Sequence, residues 1–254
     1  MPNILITGGA KRLGADVARH FAALGWTVVV HYRSSATEAE ALAEELNRNR
    51  KVCALVQGAL DSQRACHAVF DGARAAFGPV DLLLNNASSF VNDDITDLTD
   101  ASFDTHFEVN LRAPVFLAQA MDAQGDNAHG LIVNMLDNKL DALNPDFFTY
   151  TVSKAALKAA TEMLALRFDG RPRVCGIAPS IVLISGKQSQ ENFVKSSRIN
   201  PLKRRVSPAD IAATVEYLWN DGAANGQIVT LDGGQALWAL PRDVAFLVKE
   251  GQAG

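Results

Sequence analysis

Apolar and polar positions alternate along this chain in two registers. Short runs rich in β-branched residues recur at Ile4–Ile6, Val28–Tyr32, Val52–Gln57, Leu82–Asn85, Leu131–Met135, Arg173–Ala178 and Ile228–Leu231. Such runs, solidly apolar rather than alternating, fit strands covered on both faces. Between them lie longer segments with helical spacing: Leu13–Leu24, Thr37–Asn47, Gln63–Phe77, Ala101–Gln124, Tyr150–Phe168 and Pro208–Trp219. Strand–helix alternation with right-handed crossovers predicts an α/β fold: a doubly wound, seven-stranded parallel sheet in a single domain over residues 1–254. Its ligand crevice should then lie at the carboxyl ends of the strands. Four small or polar clusters fall on that rim: Thr7-Gly8-Gly9, Asn85-Asn86-Ala87-Ser88, Asp137 and Pro179-Ser180.

Composition narrows the function classes. The chain has 254 residues, 48% hydrophobic and 20% charged, enough to bury roughly 70–75% of its unfolded surface in one domain. The net charge of −4 comes with no basic run, so nucleic-acid binding has no electrostatic support. No apolar run approaches a membrane span, and the amino-terminal residues do not read as a signal peptide. Cys53, Cys66 and Cys175 are scattered and read as reduced thiols of a cytoplasmic protein, with neither disulfides nor a metal site expected.

Chemistry concentrates in two stretches. Ile4–Gly14 reads as strand, tight glycine turn and helix start, where backbone N–H groups and the helix dipole suit a pyrophosphate. The middle glycine of a dinucleotide fingerprint is replaced by Arg12, a phosphate-binding side chain. Strand two ends His31-Tyr32-Arg33-Ser34 without the acid that holds unphosphorylated ribose, so His31, Arg33, Ser34 and Arg12 are expected to converge on a 2′-phosphate, favouring NADPH over NADH. The second stretch is Tyr150-x-x-x-Lys154. This spacing puts a phenol and an ammonium on one helix face, where the cation is expected to pull the phenol down from its usual pKa of about 10.

Together, Thr7-Gly8…Gly14, Asn85-Asn86-Ala87, Asn110, Tyr150-x-x-x-Lys154, Pro179 and Asp232-Gly233-Gly234 resemble the short-chain dehydrogenase/reductase family over residues 3–237. Within it the chain looks most like the pteridine reductases. It shares with them Arg12 in the turn, the His31–Ser34 strand end, the Ser88-Ser89-Phe90 run, and Asp137 where most relatives have a catalytic serine. The resemblance implies Asp137, Tyr150, Lys154 and Asn110 as catalytic residues, with Asn110 keeping its helix open for a water relay to Lys154. It implies Phe90, with Ser88, Asp137 and Tyr150, around a pterin. NADPH would lie against Gly8, Lys11, Arg12, Leu13, His31, Tyr32, Arg33, Ser34, Leu60, Asn86, Ala87, Ser88, Lys154, Pro179 and Ile181. It also implies a homotetramer acting on a small molecule.

The chain departs from the family at Ala59, where an acid is usual, and at Val182, where a serine is expected. A substrate lid is expected at about 184–200, and the tail at about 236–254 is left either covering a neighbour's cleft or packing locally. Asp137 bears on the reaction. An ionised carboxylate repels the oxyanion that forms when a ketone is reduced, whereas reduction of C=N needs a proton at nitrogen. The leading expectation is therefore reduction of a pterin or dihydropterin. The alternatives are a carbonyl reductase, such as one acting on a 3-oxoacyl thioester, and an NADPH-binding protein without turnover. Asp137 also has a plain reading as a strand-end cap and a rival in Asp141, while Phe90 has one as core packing.

Overall fold

The computed structural model describes residues 1–125 and 127–251. Seven parallel strands form one sheet: β1 (Asn3–Ile6), β2 (Thr27–Tyr32), β3 (Cys53–Gln57), β4 (Leu82–Asn85), β5 (Leu131–Met135), β6 (Arg173–Pro179) and β7 (Ile228–Leu231), in the order β3-β2-β1-β4-β5-β6-β7. The doubly wound single-domain sheet expected from the apolar runs is the one found. Strand order reverses between β1 and β4, which opens the crevice at their carboxyl ends.

Helices cover both faces. On one, α1 (Arg12–Ala23), α2 (Ala36–Leu46) and α8 (Pro208–Asn220) bury Val17, Phe21, Leu42, Ile211 and Val215 against Ile4, Ile6, Val28 and Val30. On the other, α3 (Gln63–Phe77), α5 (Ala113–Ala123) and α6 (Phe148–Arg167) bury Val69, Phe70, Leu117, Met121 and Ala165 against Leu5, Val29, Leu83 and Ile132. The central strands β1, β4 and β5 are thus buried on both faces.

The single helix expected over Ala101–Gln124 is a correction. It divides into α4 (Asp100–Phe107), a wide π-type turn over Glu108–Arg112, and α5. Pro114 stands at the start of α5 and has no N–H to give the carbonyl of Asn110 four residues back. Periodicity ran through this break because the apolar face is continuous across it.

Further elements lie where no regular structure was expected, among them a one-turn helix at Asn138–Asp141. α7 (Gln190–Ser196) occupies the region read as a lid, a one-turn helix spans Gln235–Trp238, and α9 (Val244–Lys249) ends the described tail. The Asn192 amide donates to the Ala245 carbonyl at 2.8 Å, joining α7 to α9. Among the described residues, no helix is long and apolar enough to cross a membrane.

Candidate active site

The glycine turn after β1 is a close-packed knot. Gly8 takes φ +60°, which a side chain resists, and a β-carbon on Gly14 would lie 2.7 Å from the Gly8 carbonyl oxygen and 2.8 Å from the Asn86 amide nitrogen. Asn86 ties the β4 end to this turn, donating to the carbonyls of Thr7 and Gly8 at 2.9 and 3.2 Å. Arg12 also has positive φ, +56°, a conformation that costs a non-glycine residue about 1–3 kcal/mol. Its guanidinium crosses the cleft to the Ile184 carbonyl at 2.5 Å.

The cavity beside this turn is lined by Gly8, Lys11, Arg12, Leu13, Arg33, Leu60, Asn86, Ala87 and Ser88. It is continuous with a second one that Asn86, Ser88, Lys154, Pro179 and Ile181 also line. His31 also lines this cavity, with both ring nitrogens engaged by the loops around it. It is 2% exposed beneath the turn, its Nδ1 accepts the Gly8 N–H at 3.2 Å, and its Nε2 lies 3.1 Å from the Gly58 carbonyl. Burial lowers its pKa, so it is a neutral strut of the loop with no nitrogen left for a phosphate. Tyr32 packs against the α1/α2 core and Ser34 is exposed on the turn, and neither lines the cavity. Lys11 sits 3.7 Å from Glu38, whereas among the described residues no carboxylate pairs with Arg33.

At the other end of the cleft, α6 is seated by Asp93, whose Oδ1 accepts the Thr149 N–H at 2.9 Å and whose carbonyl accepts that of Phe148 at 3.2 Å. This fixes Tyr150 one turn into the helix, 7% exposed. The Tyr150 hydroxyl donates to Asp137 Oδ2 at 2.8 Å. Asp137 Oδ1 accepts the Lys139 N–H at 2.9 Å. The acid therefore caps the turn after β5 and holds the phenol at once. Its rival Asp141 accepts from Thr230 Oγ1 at 2.8 Å, away from Tyr150.

Lys154, 2% exposed, donates to the Met135 carbonyl at 2.7 Å, with its Nζ 5.7 Å from the Tyr150 ring centre. Burial lowers its pKa to about 8, with Asp137 opposing the shift. Burial raises the Asp137 carboxyl above its usual range, against the hydrogen bonds from Lys139 and Tyr150. The expectation that Lys154 draws the Tyr150 pKa down is a second correction. Burial, and then the Asp137 carboxylate, raise that phenol well above 10. A neutral phenol donates to Asp137, and the two groups titrate as a coupled pair.

Asn110 is fully buried, and all four side-chain hydrogen-bonding positions are taken. Its Nδ2 donates to the Ser89 carbonyl and to Ser153 Oγ, both at 3.0 Å, and its Oδ1 accepts from Ser88 Oγ at 3.1 Å and Ser89 N–H at 2.8 Å. The side chain positions the Ser88–Ser89 loop against α6, and its hydrogen bonds among the described residues do not include one to Lys154. Phe90 is 40% exposed at the cleft, stacked on Phe147 at 4.4 Å between centroids and edge-on to Tyr150 at 4.6 Å. Phe147 in turn stacks on Phe246 of the tail at 5.6 Å.

Sequence reading missed the residues that close this end: Lys139, Leu240, Arg242 and Asp243 line the same cavity as Asp137 and Tyr150. The tail packs over its own chain's cleft. Arg242 Nε reaches both Asp146 oxygens at 3.0 and 2.9 Å. The available signal was Asp243 standing as a cap before the apolar run Val244–Val248.

Comparison with known proteins agrees with this architecture. The family model described as enoyl-(acyl carrier protein) reductase matches residues 8–236. The chain belongs to the short-chain dehydrogenase/reductase family. It is 30% identical to the short chain dehydrogenase mdpC of Emericella nidulans over 91% of this chain and 94% of that one. It is 31% identical to 3beta-hydroxysteroid dehydrogenase 1 of Eggerthella lenta over 92% and 94%. Among solved structures it is similar to FolM alternative dihydrofolate reductase 1 from Brucella canis, complexed with NADP. That match has 38% identity and a TM-score of 0.89, covering 93% of this chain and 94% of the other. As a member of this family, the chain is an oxidoreductase.

Proposed function

We propose that this short-chain dehydrogenase/reductase is an NADPH-dependent reductase of a pterin or dihydropterin ring. The observation that carries the reading is the 2.8 Å hydrogen bond from Tyr150 to Asp137 in a cavity also walled by Phe90. The similarity to the NADP-complexed FolM structures supports it.

The residues present fit the cofactor. The Gly8–Gly14 turn leaves no room for a β-carbon on Gly14, and Arg12 and Arg33 border the cavity without an acid on the β2 end. NADPH, when bound, supplies the hydride. Arg33 and Arg12 would hold its phosphates, Leu60 and Ala87 would border its apolar parts, and Lys154 would hold its reactive end, while the positive charge of Lys154 stabilises the Asp137 carboxylate. The Asp137 carboxyl gives its proton to the ring nitrogen beside the carbon that is reduced. The Tyr150 hydroxyl at Oδ2 stabilises the carboxylate left behind. Phe90 offers a ring face to a flat heterocycle, a contact that contributes about 0.5–1.5 kcal/mol beyond area.

Arg33→Asp is expected to weaken NADPH binding about tenfold or more while changing NADH binding less than about threefold, read by fluorescence titration. Equal losses for both nucleotides would remove Arg33 from the 2′-phosphate site. The reaction itself is tested by NADPH oxidation with a dihydropterin, dihydrofolate and a 3-oxoacyl thioester in parallel. Turnover of a pteridine is expected, and activity confined to the thioester would establish the carbonyl reading instead.

A cytoplasmic homotetramer belongs to the same reading. α6 presents exposed Val152, Met163 and Leu166, at 40, 69 and 83%. Light scattering should give a mass four times that of the chain, and a monomer mass would refute the assembly.

A further inference from the structure

The substrate end of the cleft holds charged side chains that the proton path above does not use, and two of them stand side by side. Lys139 follows β5 and Asp243 comes from the tail, and both line the cavity that contains Asp137 and Tyr150. Lys139 is 8% exposed and donates to the Asp146 carbonyl at 2.6 Å. An ammonium has three donors, so others remain.

Asp243 Oδ1 accepts the Ala245 N–H at 2.9 Å and caps α9. Its Oδ2 stands 4.0 Å from Lys139 Nζ, outside hydrogen-bond range, and no hydrogen bond among the described residues reaches it. Burial raises this carboxyl, and Asp137 and Asp146 add to the rise against Lys139. A partly buried carboxylate oxygen without a donor is costly, which makes it a ready acceptor for a ligand.

The segment that carries it is firmly anchored. Arg242 holds Asp146 through both oxygens, the Asp243 N–H donates to Asp146 Oδ2 at 2.7 Å, and Asn192 of α7 holds the Ala245 carbonyl. The cleft therefore presents an acceptor and a donor side by side, 4.0 Å apart, on a fixed wall.

That pattern fits a ring edge on which N–H groups stand next to a carbonyl. We propose that Asp243 and Lys139 form the subsite that reads the aminopyrimidinone edge of the heterocycle. Asp243 Oδ2 accepts from the ring N–H and 2-amino group, and Lys139 Nζ donates to the ring carbonyl. The proposal rests on the pterin-reductase reading and names the part of the substrate that gives specificity. A simple carbonyl substrate would bury Asp243 Oδ2 without a donor, and sites with buried polar groups discriminate strongly against ligands that leave them unpaired.

The test is steady-state NADPH oxidation by wild type and Asp243→Asn with a dihydropterin and with its 2-desamino analogue. The asparagine carbonyl keeps the cap on the Ala245 N–H, so its NH2 meets the substrate's N–H groups donor to donor. The ratio of kcat/KM for the dihydropterin to that for the analogue is expected to fall about tenfold or more, through KM, with NADPH affinity unchanged. Asp243→Ser, which retains a capping oxygen but puts no acceptor in the cleft, should shift the ratio the same way and serves if the asparagine variant does not fold. An unchanged ratio in a folded variant that still reduces dihydropterin would overturn the subsite and leave the pterin reading standing. Failure of wild type to reduce any pteridine would overturn both.

Discussion

Tyr150→Phe is expected to lower kcat for pteridine reduction by about 100-fold or more, with NADPH affinity within about threefold of wild type. Phenylalanine retains the edge contact with Phe90 and the ring face near Lys154 Nζ, so packing in this corner is preserved. What disappears is one hydroxyl, the donor to Asp137 Oδ2. In wild type that bond stabilises the ionised carboxylate and so favours proton release. Without it the carboxyl, already raised by burial, holds its proton more tightly. Stopped-flow measurement of NADPH oxidation at fixed pH separates this loss from any change in binding. A kcat within about threefold of wild type would mean that the phenol is outside the proton path.

Asp137→Asn is expected to cost as much or more, about 100- to 10,000-fold in kcat, because it removes the proton itself rather than the group that tunes it. The amide oxygen remains able to take the Tyr150 hydroxyl or the Lys139 N–H, the two bonds that hold the residue in place. The fold should survive, since the cap on the turn after β5 is one that asparagine also makes. NADPH binding, measured by calorimetry, should stay close to wild type. Loss of NADPH binding together with activity would show a collapsed site, and full activity would show that the carboxyl takes no part.

The strands and the order of motifs on the rim were legible because each follows from local pattern, whereas the pairing of Asp137 with Tyr150 came from the resemblance to the pteridine reductases. β-branched runs mark strands, and Asp137 lies where β5 ends, on the rim shared with the glycine turn. His31 was misread because its partners, the Gly8 N–H and the Gly58 carbonyl, come from two other loops, and a polar residue at a strand end looks the same whether it faces solvent or the turn behind it. The Tyr150 pKa was misread for a related reason. Spacing placed the ammonium nearby, but burial of the phenol raises its pKa most, and the carboxylate thirteen residues earlier takes the hydroxyl and adds to the rise.

The tail could not be placed from sequence, since its position depends on Arg242 meeting Asp146, 96 residues away. Phe90 does not pack in a core: it stacks on Phe147 and remains 40% exposed at the cleft. The break at Asn110 carried one readable signal, Pro114, whose missing N–H frees the Asn110 carbonyl.

The central claim is that the Asp137 carboxyl, hydrogen-bonded to Tyr150, supplies the proton to a ring nitrogen. It is tested most directly by the pH dependence of kcat for dihydropterin reduction in wild type and in Asp137→Asn. Burial raises the Asp137 pKa above the ordinary carboxylate range, so the acid form persists to higher pH and is lost as pH climbs through the raised value. Wild type should therefore show kcat declining with rising pH on a limb above the usual carboxylate range, and the asparagine variant should lack that limb while keeping a low residual rate. The same limb in both proteins, at comparable rates, would contradict the account.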